Sequence, residues 1–146
     1  MAQLFRGHID AVVHDHRITI NQNHFHLDSG FYIPRFLETS DDNQFKYVET
    51  MYAEGLQKAK TYLRKLASEF LRISSPPNSL EAMFLGKTEV LTLPVPVMEY
   101  LGLKENDWIS LLGQLNTLQL WNPQQLKEHV ESLETFTEAD FLSLGI

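Results

Sequence analysis

The apolar residues of this chain recur with a period of two near both ends and with a period close to 3.6 in the middle. Residues 18–20 and 91–93 alternate apolar and polar side chains, which is typical of strands with one buried face. Across 44–73 the apolar residues instead lie three or four positions apart, which predicts an amphipathic helix. Strands on both sides of a helical segment predict an α+β fold.

Breaks in this pattern divide the chain into three segments. We expect a first β-rich segment over 1–40, a helical middle with a linker over 41–80, and a second β-rich segment with C-terminal helices over 81–146. Gly55 is expected to divide the helical middle into two helices. The run 74–80 is rich in serine and proline and is expected to be the linker.

The two β-rich segments share a local sequence pattern. Residues 18–21 are Ile-Thr-Ile-Asn and residues 91–94 are Leu-Thr-Leu-Pro, which is compatible with a duplicated half-chain unit. In the first segment, residues 15–16 are expected to form a tight hairpin turn. Residues 31–33 predict a strand that ends at Pro34.

The second β-rich segment contains signals for a short helix and a hairpin. Pro96 is expected to open the helix, and Gly102 to close it as a left-handed cap. Strands are expected over 108–112 and 117–121, with a turn between them. These elements are more sharply delimited than those of the first segment.

A final helix is expected at the end of the second segment. Asn122 is a suitable N-cap and Pro123 a suitable first helical residue. His129 is expected on the surface of this helix, and Thr137 is expected to cap a last short turn. The four residues thus predict that the chain finishes in helices.

Composition limits the possible functions. The 146 residues, 43% of them hydrophobic, suffice for one domain or for two small ones that share a core. Acidic residues outnumber basic ones by 19 to 12, giving a net charge of −7, so any contact with nucleic acid is expected to be local. The chain has no cysteine and no apolar run long enough to span a membrane. We therefore expect a cytoplasmic protein without a membrane partner.

Sequence motifs for catalysis or cofactor binding are absent. No serine lies in a nucleophile-elbow motif, and the seven glycines are dispersed rather than gathered in a phosphate-binding loop. We therefore expect neither an enzyme nor a bound cofactor.

The histidines offer a different possibility, because five of the six fall within the first 26 residues. His14 with His16, and His24 with His26, are two residues apart, a spacing that places both side chains on one face of a strand. Imidazole pairs of this kind can bind zinc, copper or nickel. The simpler interpretation is exposed histidines at turns and edges, with no metal.

Three runs in the second segment resemble one protein family. Residues 97–103, 109–113 and 118–123 are similar to the second half of MraZ proteins, which belong to the AbrB-like superfamily of swapped-hairpin DNA-binding proteins. The N-terminal run 5–7, Phe-Arg-Gly, resembles the opening of that family. The resemblance implies two AbrB-like swapped-hairpin half-domains that form a small β-barrel, with a helical middle segment and a C-terminal helix. It also implies a bacterial, nucleoid-associated transcription regulator that binds promoter repeats in DNA as a ring-like homo-oligomer.

Each half of the family normally carries an Asp-x-x-Gly-Arg loop at its hairpin tip. In the first loop Arg17 stands at the arginine position, His16 replaces the glycine and Asp15 is the nearest acid. In the second loop Glu89 and Val90 stand where glycine and arginine would be. By this resemblance, the candidate DNA-binding residues are Arg17, His16, Asp15, His14, Arg6 and Lys87.

Two other sets of residues are candidates for contacts with other molecules. Trp108, Trp121 and Tyr100 are candidates for an oligomer interface, the tryptophans being anchors either there or in the core. The basic side chains of the run 58–65 are a DNA-facing stripe, the solvated face of a packed helix, or a surface that pairs with the acidic C-terminal half of a neighbouring subunit.

The missing Gly-Arg pair in the second loop and the acidic balance favour a second hypothesis. In it, the chain is an oligomeric protein-interaction module that retains the fold and has lost DNA binding. A third hypothesis is a metal-binding protein that uses the histidine pairs.

Overall fold

The computed structural model describes residues 7–20, 27–39, 44–69, 81–87, 89–113 and 117–133. These residues form an α+β structure with one antiparallel sheet and helices outside it. The elements are β1 (Gly7–Val12), β2 (Arg17–Thr19), β3 (Gly30–Glu38), β4 (Lys46–Ala53), α1 (Leu56–Glu69), β5 (Met83–Leu85), β6 (Val90–Thr92), α2 (Val95–Leu101), β7 (Trp108–Gly113), β8 (Leu118–Trp121) and α3 (Pro123–Leu133).

The eight strands form a nearly closed, barrel-like sheet in the order β1-β7-β8-β4-β3-β5-β6-β2. The two ends of this order meet at an isolated bridge between His14 and Arg17. Neighbouring strands in the sheet come mostly from opposite halves of the sequence, because β1 pairs with β7, β3 with β5, β4 with β8 and β2 with β6. The halves therefore complete one sheet together and share one core.

The sheet has an internal pseudo-two-fold symmetry. The strands correspond in pairs, β1 with β5, β2 with β6, β3 with β7 and β4 with β8. Exchanging the members of every pair gives the same cyclic strand order, read in the opposite direction. Ile18 pairs with Leu91 at the centre of the β2–β6 ladder, and Glu49 pairs with Gln119 in the β4–β8 ladder. The approximate axis passes through these two ladders, and α1 follows β4 as α3 follows β8. This arrangement agrees with the repeated pattern at 18–21 and 91–94.

The barrel interior holds the main hydrophobic cluster. It contains Ile18, Leu91, Ile109, Leu111 and Leu120, each at most 1% exposed. Burial of such side chains stabilises the fold by about 1.5–3 kcal/mol each. Two smaller clusters lie outside the barrel, one beneath α1 and one beneath α3.

The predicted helix over 44–53 is wrong, because this stretch contains β4. Val48, Thr50 and Ala53 are buried, and residues 46–53 are rich in the β-branched and aromatic residues that suit a pleated surface. The apolar spacing fits both periods, so it did not separate strand from helix. Gly55 does not divide two helices as predicted, because the element before it is β4 and a single helix, α1, begins at the next residue.

The prediction that the strand at 31–33 ends at Pro34 is also wrong. β3 continues to Glu38, with Pro34 opposite Thr50 of β4. The ladder with β5 reaches only from Gly30 to Tyr32. Proline is tolerated at a strand edge that lacks a partner, and in the described part of the chain β5 leaves that edge of β3 uncovered at Pro34.

The remaining local predictions are largely confirmed. Asp15 and His16 form a turn, and Gly102 ends α2 with φ 68°. The β7–β8 hairpin is present, and Asn122 Oδ1 accepts hydrogen bonds from the first turn of α3, which starts at Pro123. The linker at 74–80, the hairpin turn at 114–116 and the cap at Thr137 lie outside the described residues.

No helix within the described ranges has both the length and the hydropathy to cross a bilayer.

Candidate functional site

Two turns lie at opposite ends of the short β2–β6 ladder. The first is centred on Asp15 and His16, with φ of 53° and 56°, and the second contains Glu89, with φ of 65°. Non-glycine residues rarely adopt this left-handed region. The positive φ at these positions favours glycine. His16 and Glu89 are also the two positions at which the resemblance places glycine.

Symmetric hydrogen bonds fix the two turns to the opposite half. The Leu93 N–H donates to the His16 carbonyl over 2.8 Å, and the Ile20 N–H donates to the Glu89 carbonyl over 2.7 Å. The first turn has further supports, since Glu105 Oε1 accepts from the Asp15 N–H and His16 Nδ1 lies 3.1 Å from Met98 Sδ. Each turn is therefore tied by a backbone hydrogen bond to the opposite half of the chain rather than projecting as an isolated loop.

Charges of both signs surround the turns. Arg17 and Lys87 are exposed and supply the positive charge, one at each turn. Asp15, Glu89 and Glu105 lie beside them and supply three carboxylates. Arg17 is thus available to an external group, but against a locally acidic background. Arg6 lies outside the described residues.

The turn geometry does not bring the first histidine pair together as metal ligands. His14 Nδ1 lies 3.5 Å from Glu105 Oε1, whereas His16 contacts Met98. The described residues contain no group of three or more His, Cys, Asp or Glu side chains that could hold a metal ion. His24 and His26 lie outside those residues.

The three interface candidates lie in different environments. Trp108 is 57% exposed, whereas Trp121 and Tyr100 are buried within the chain. The Tyr100 hydroxyl donates to the Leu37 carbonyl over 2.9 Å, and the Tyr100 ring packs edge-on against Phe36. Burial raises the pKa of Tyr100 well above its usual value, with a smaller contribution from Glu38. Of the three side chains, only Trp108 is largely available to a partner.

A second candidate site is a groove between α3 and the outer face of β1, β7 and β8. The groove has a volume of about 720 Å³, within the range of small-molecule sites. Apolar and aromatic side chains form much of its wall, and polar ones reach it from β1, β7, β8 and α3. They include Leu112, Trp121, Leu126, Val130, His8, Asp10, Ser110, Gln119, Lys127, His129 and Glu131.

Asp10 joins the polar groups at one end of the groove. The buried Ser110 hydroxyl donates to Asp10 Oδ1 over 2.7 Å, and His8 Nε2 lies 3.2 Å from the same oxygen. In a catalytic triad the serine donates to the imidazole, which then takes its proton. Here the carboxylate stands between the two, so the imidazole is not placed to activate Ser110.

An aromatic stack forms another wall of the groove. The Tyr47 and Trp121 rings are parallel with centroids 4.7 Å apart, and His129 stacks on Trp121 at 5.2 Å. Trp121 Nε1 donates to Gln119 Oε1 over 3.0 Å. Burial raises the pKa of Tyr47, Glu49 raises it further and Arg35 lowers it.

The surface position predicted for His129 is wrong, because its ring is half-buried against Trp121. The groove as a whole was missed from the sequence. Its polar groups come from positions 100 residues apart, Asp10 and Ser110. The available signal was Ser110, a polar residue inside an otherwise apolar strand.

Comparison with models of protein families and with curated proteins found no match to this chain.

Proposed function

We propose that the protein is a MraZ-like, sequence-specific DNA-binding regulator of transcription that acts as a ring-like homo-oligomer. The observation that carries the proposal is the left-handed backbone at both His16 and Glu89. These are the positions at which the family resemblance expects glycine. Agreement at two separate turns supports an AbrB-like arrangement in which each half lends its hairpin to the other.

Strand pairing supports the same arrangement. β1 and β2 flank the first turn, yet each forms its ladder with a strand of the second half. Arg17 is the first residue of β2, and Val90 is the first residue of β6. In the proposed function Arg17 contacts phosphate or a base edge from its tip, and Asp15, His14 and His16 frame that contact. Val90 has lost this role at the second turn, where Lys87 contacts phosphate.

The first experiment measures retention of random genomic DNA fragments by the full-length protein at two salt concentrations. Contacts to phosphate predict binding that weakens steeply as salt rises. Arg17→Ala should lower affinity about tenfold or more. Lys127→Ala, which removes an exposed cation from α3, is the control and should bind as the unmodified chain does. Equal binding by the Arg17 and Lys127 variants would refute Arg17 as the DNA contact.

A second experiment restores the family pattern at the second turn. Glu89→Gly with Val90→Arg removes a carboxylate from a left-handed position and adds an arginine at the position that corresponds to Arg17. We expect this double variant to bind DNA more tightly. Unchanged affinity with an intact fold would count against the second turn as a DNA-facing element.

The alternative function is an oligomeric protein-interaction module without DNA binding. It is favoured by the three carboxylates beside Arg17 and Lys87, and by the exposed pair Val12 and Trp108, which are opposite each other on β1 and β7. A defined oligomer that retains no DNA fragment at low salt would support this function over the first.

A further inference from the structure

The pseudo-symmetry allows the groove to be compared with the equivalent place in the other half. Across β1, β7 and β8 the outward-facing row is Asp10, Ser110 and Trp121, because Asp10 pairs with Ser110 and Ser110 with Trp121. The corresponding positions on β3 and β4 are Ile33, which pairs with Met51, and both are apolar. At this position of the fold, one half therefore carries the polar side chain of Ser110 and the other half the apolar side chain of Ile33.

Helix packing differs in the same way. α1 closes over the apolar row with Ala59 and Leu66, which are 1% and 4% exposed. α3 contacts its side through Leu126, which packs on Leu112 and Trp121, and through His129, which stacks on Trp121. The space of about 720 Å³ lies on the α3 side. If this face had only a structural role, an apolar residue would be favoured at position 110. Such a residue would bury more hydrocarbon beneath the helix and would avoid burying a hydroxyl group.

Asp10 and Ser110 offer hydrogen-bond acceptors to the groove. The Asp10 carboxylate is an acceptor only, and it is about half exposed at the groove. Ser110 gives its one hydroxyl hydrogen to Asp10, so its oxygen has only lone pairs to offer a ligand. On the α3 side of the groove, the positive charge of Lys127 balances the negative charge of Glu131. The Asp10 carboxylate therefore gives the lining its net negative charge.

From this chemistry we propose that the groove binds a small primary amine with an apolar body. The ammonium group pairs with Asp10 and donates to Ser110, and the hydrocarbon lies along Leu112, Leu126 and Val130. The edge of the Trp121 stack closes one side of the site. The inference does not depend on DNA binding, because Arg17 does not line the groove.

The test uses phenethylamine as the probe, with phenethyl alcohol and phenylpropanoate as its neutral and anionic counterparts. Isothermal titration of the full-length protein at low salt should show saturable binding of one amine per chain. The alcohol should bind about tenfold more weakly, because it lacks the charge-assisted bond, and the anion more weakly still. Amide chemical-shift changes on adding amine should centre on Asp10 and Ser110.

Three variants separate the site from general effects. Asp10→Asn should weaken amine binding about tenfold and leave alcohol binding unchanged. Ser110→Ile copies the apolar half and should abolish binding of both probes while the chain remains folded, as circular dichroism will show. Glu81→Gln, which neutralises an exposed carboxylate elsewhere, should bind as the unmodified chain does. Equal affinities for amine and alcohol, no saturable amine binding, or an Asp10→Asn variant that binds amine normally would each overturn the proposal.

Discussion

Asn122 joins the ends of two helices, and its replacement gives a prediction with a calculable size. Its Oδ1 accepts hydrogen bonds from the Gln124 N–H over 2.9 Å and the Gln125 N–H over 3.4 Å, which caps α3. Its Nδ2 donates to the Leu101 carbonyl over 3.0 Å, at the last residue of α2. One half-buried side chain therefore serves an N-terminus and a C-terminus at once.

Asn122→Ala removes both functions of this side chain. Loss of an N-cap costs about 1 kcal/mol, and loss of the bond to Leu101 costs about 1 kcal/mol more. Asn122→Ser keeps a capping oxygen but has no amide to reach Leu101, so it should lose about 1 kcal/mol by the same reasoning. The free energy of unfolding should thus fall by about 2 kcal/mol for alanine and by about half of that for serine.

Urea denaturation followed by circular dichroism measures both differences. The slope of unfolding free energy against urea should not change, because neither variant alters the surface exposed on unfolding. Gln124→Ala, at an exposed position in the first turn of α3, is the control and should stay within about 0.5 kcal/mol of the unmodified chain. If alanine and serine at position 122 destabilise equally, the cap contributes nothing and the reasoning is refuted.

Other substitutions and conditions test separate parts of the structure. Gly102→Ala should lower the free energy of unfolding by about 1 kcal/mol, because the φ of 68° is strained for alanine. The added methyl causes no clash, since its nearest neighbour, Asn122 Nδ2, is 3.9 Å away. A loss below about 0.3 kcal/mol in urea denaturation would contradict this. Ile18→Ala, at the centre of the β2–β6 ladder, should cost about 2–5 kcal/mol by calorimetry, and a smaller loss would mean that the two halves are not joined by a shared core. Burial raises the pKa of Tyr32 and Tyr100 above 10.0, so above pH 10 the unfolded chain releases protons that the folded chain keeps. The urea midpoint should therefore fall as pH rises past 10, and a constant midpoint would exclude this linkage.

Local signals in the sequence predicted the elements whose ends are set by particular residues. Gly102 ends α2 because a left-handed residue is required there, and Asn122 with Pro123 starts α3 because an acceptor and a residue without an N–H suit the first turn. The turn at Asp15 and His16 was predicted from the polar break between two apolar runs. In each case the deciding interaction lies within a few residues of the signal.

The spacing of apolar residues did not predict the secondary structure correctly where tertiary contacts determine it. Residues 46–53 carry apolar side chains that fit either a helix or a strand, and pairing with β3 and β8 selects the strand. The neighbours of β4 in the sheet come from residues on both sides of it in the sequence, so no local window contains them. The same reason hid the groove, whose lining extends from His8 to Glu131.

The repeated pattern at 18–21 and 91–94 was the sequence feature with the widest consequence. Its two copies meet in the structure, with Ile18 opposite Leu91 and mirrored hydrogen bonds to His16 and Glu89. Symmetry of this kind makes each half a reference for the other, because equivalent positions bear the same constraints of backbone and packing. A difference between equivalent positions then has to be explained by something other than the fold. On this argument the two departures are the positions at which the proposals are best tested: Arg17 against Val90 at the turns, and Ser110 against Ile33 at the groove.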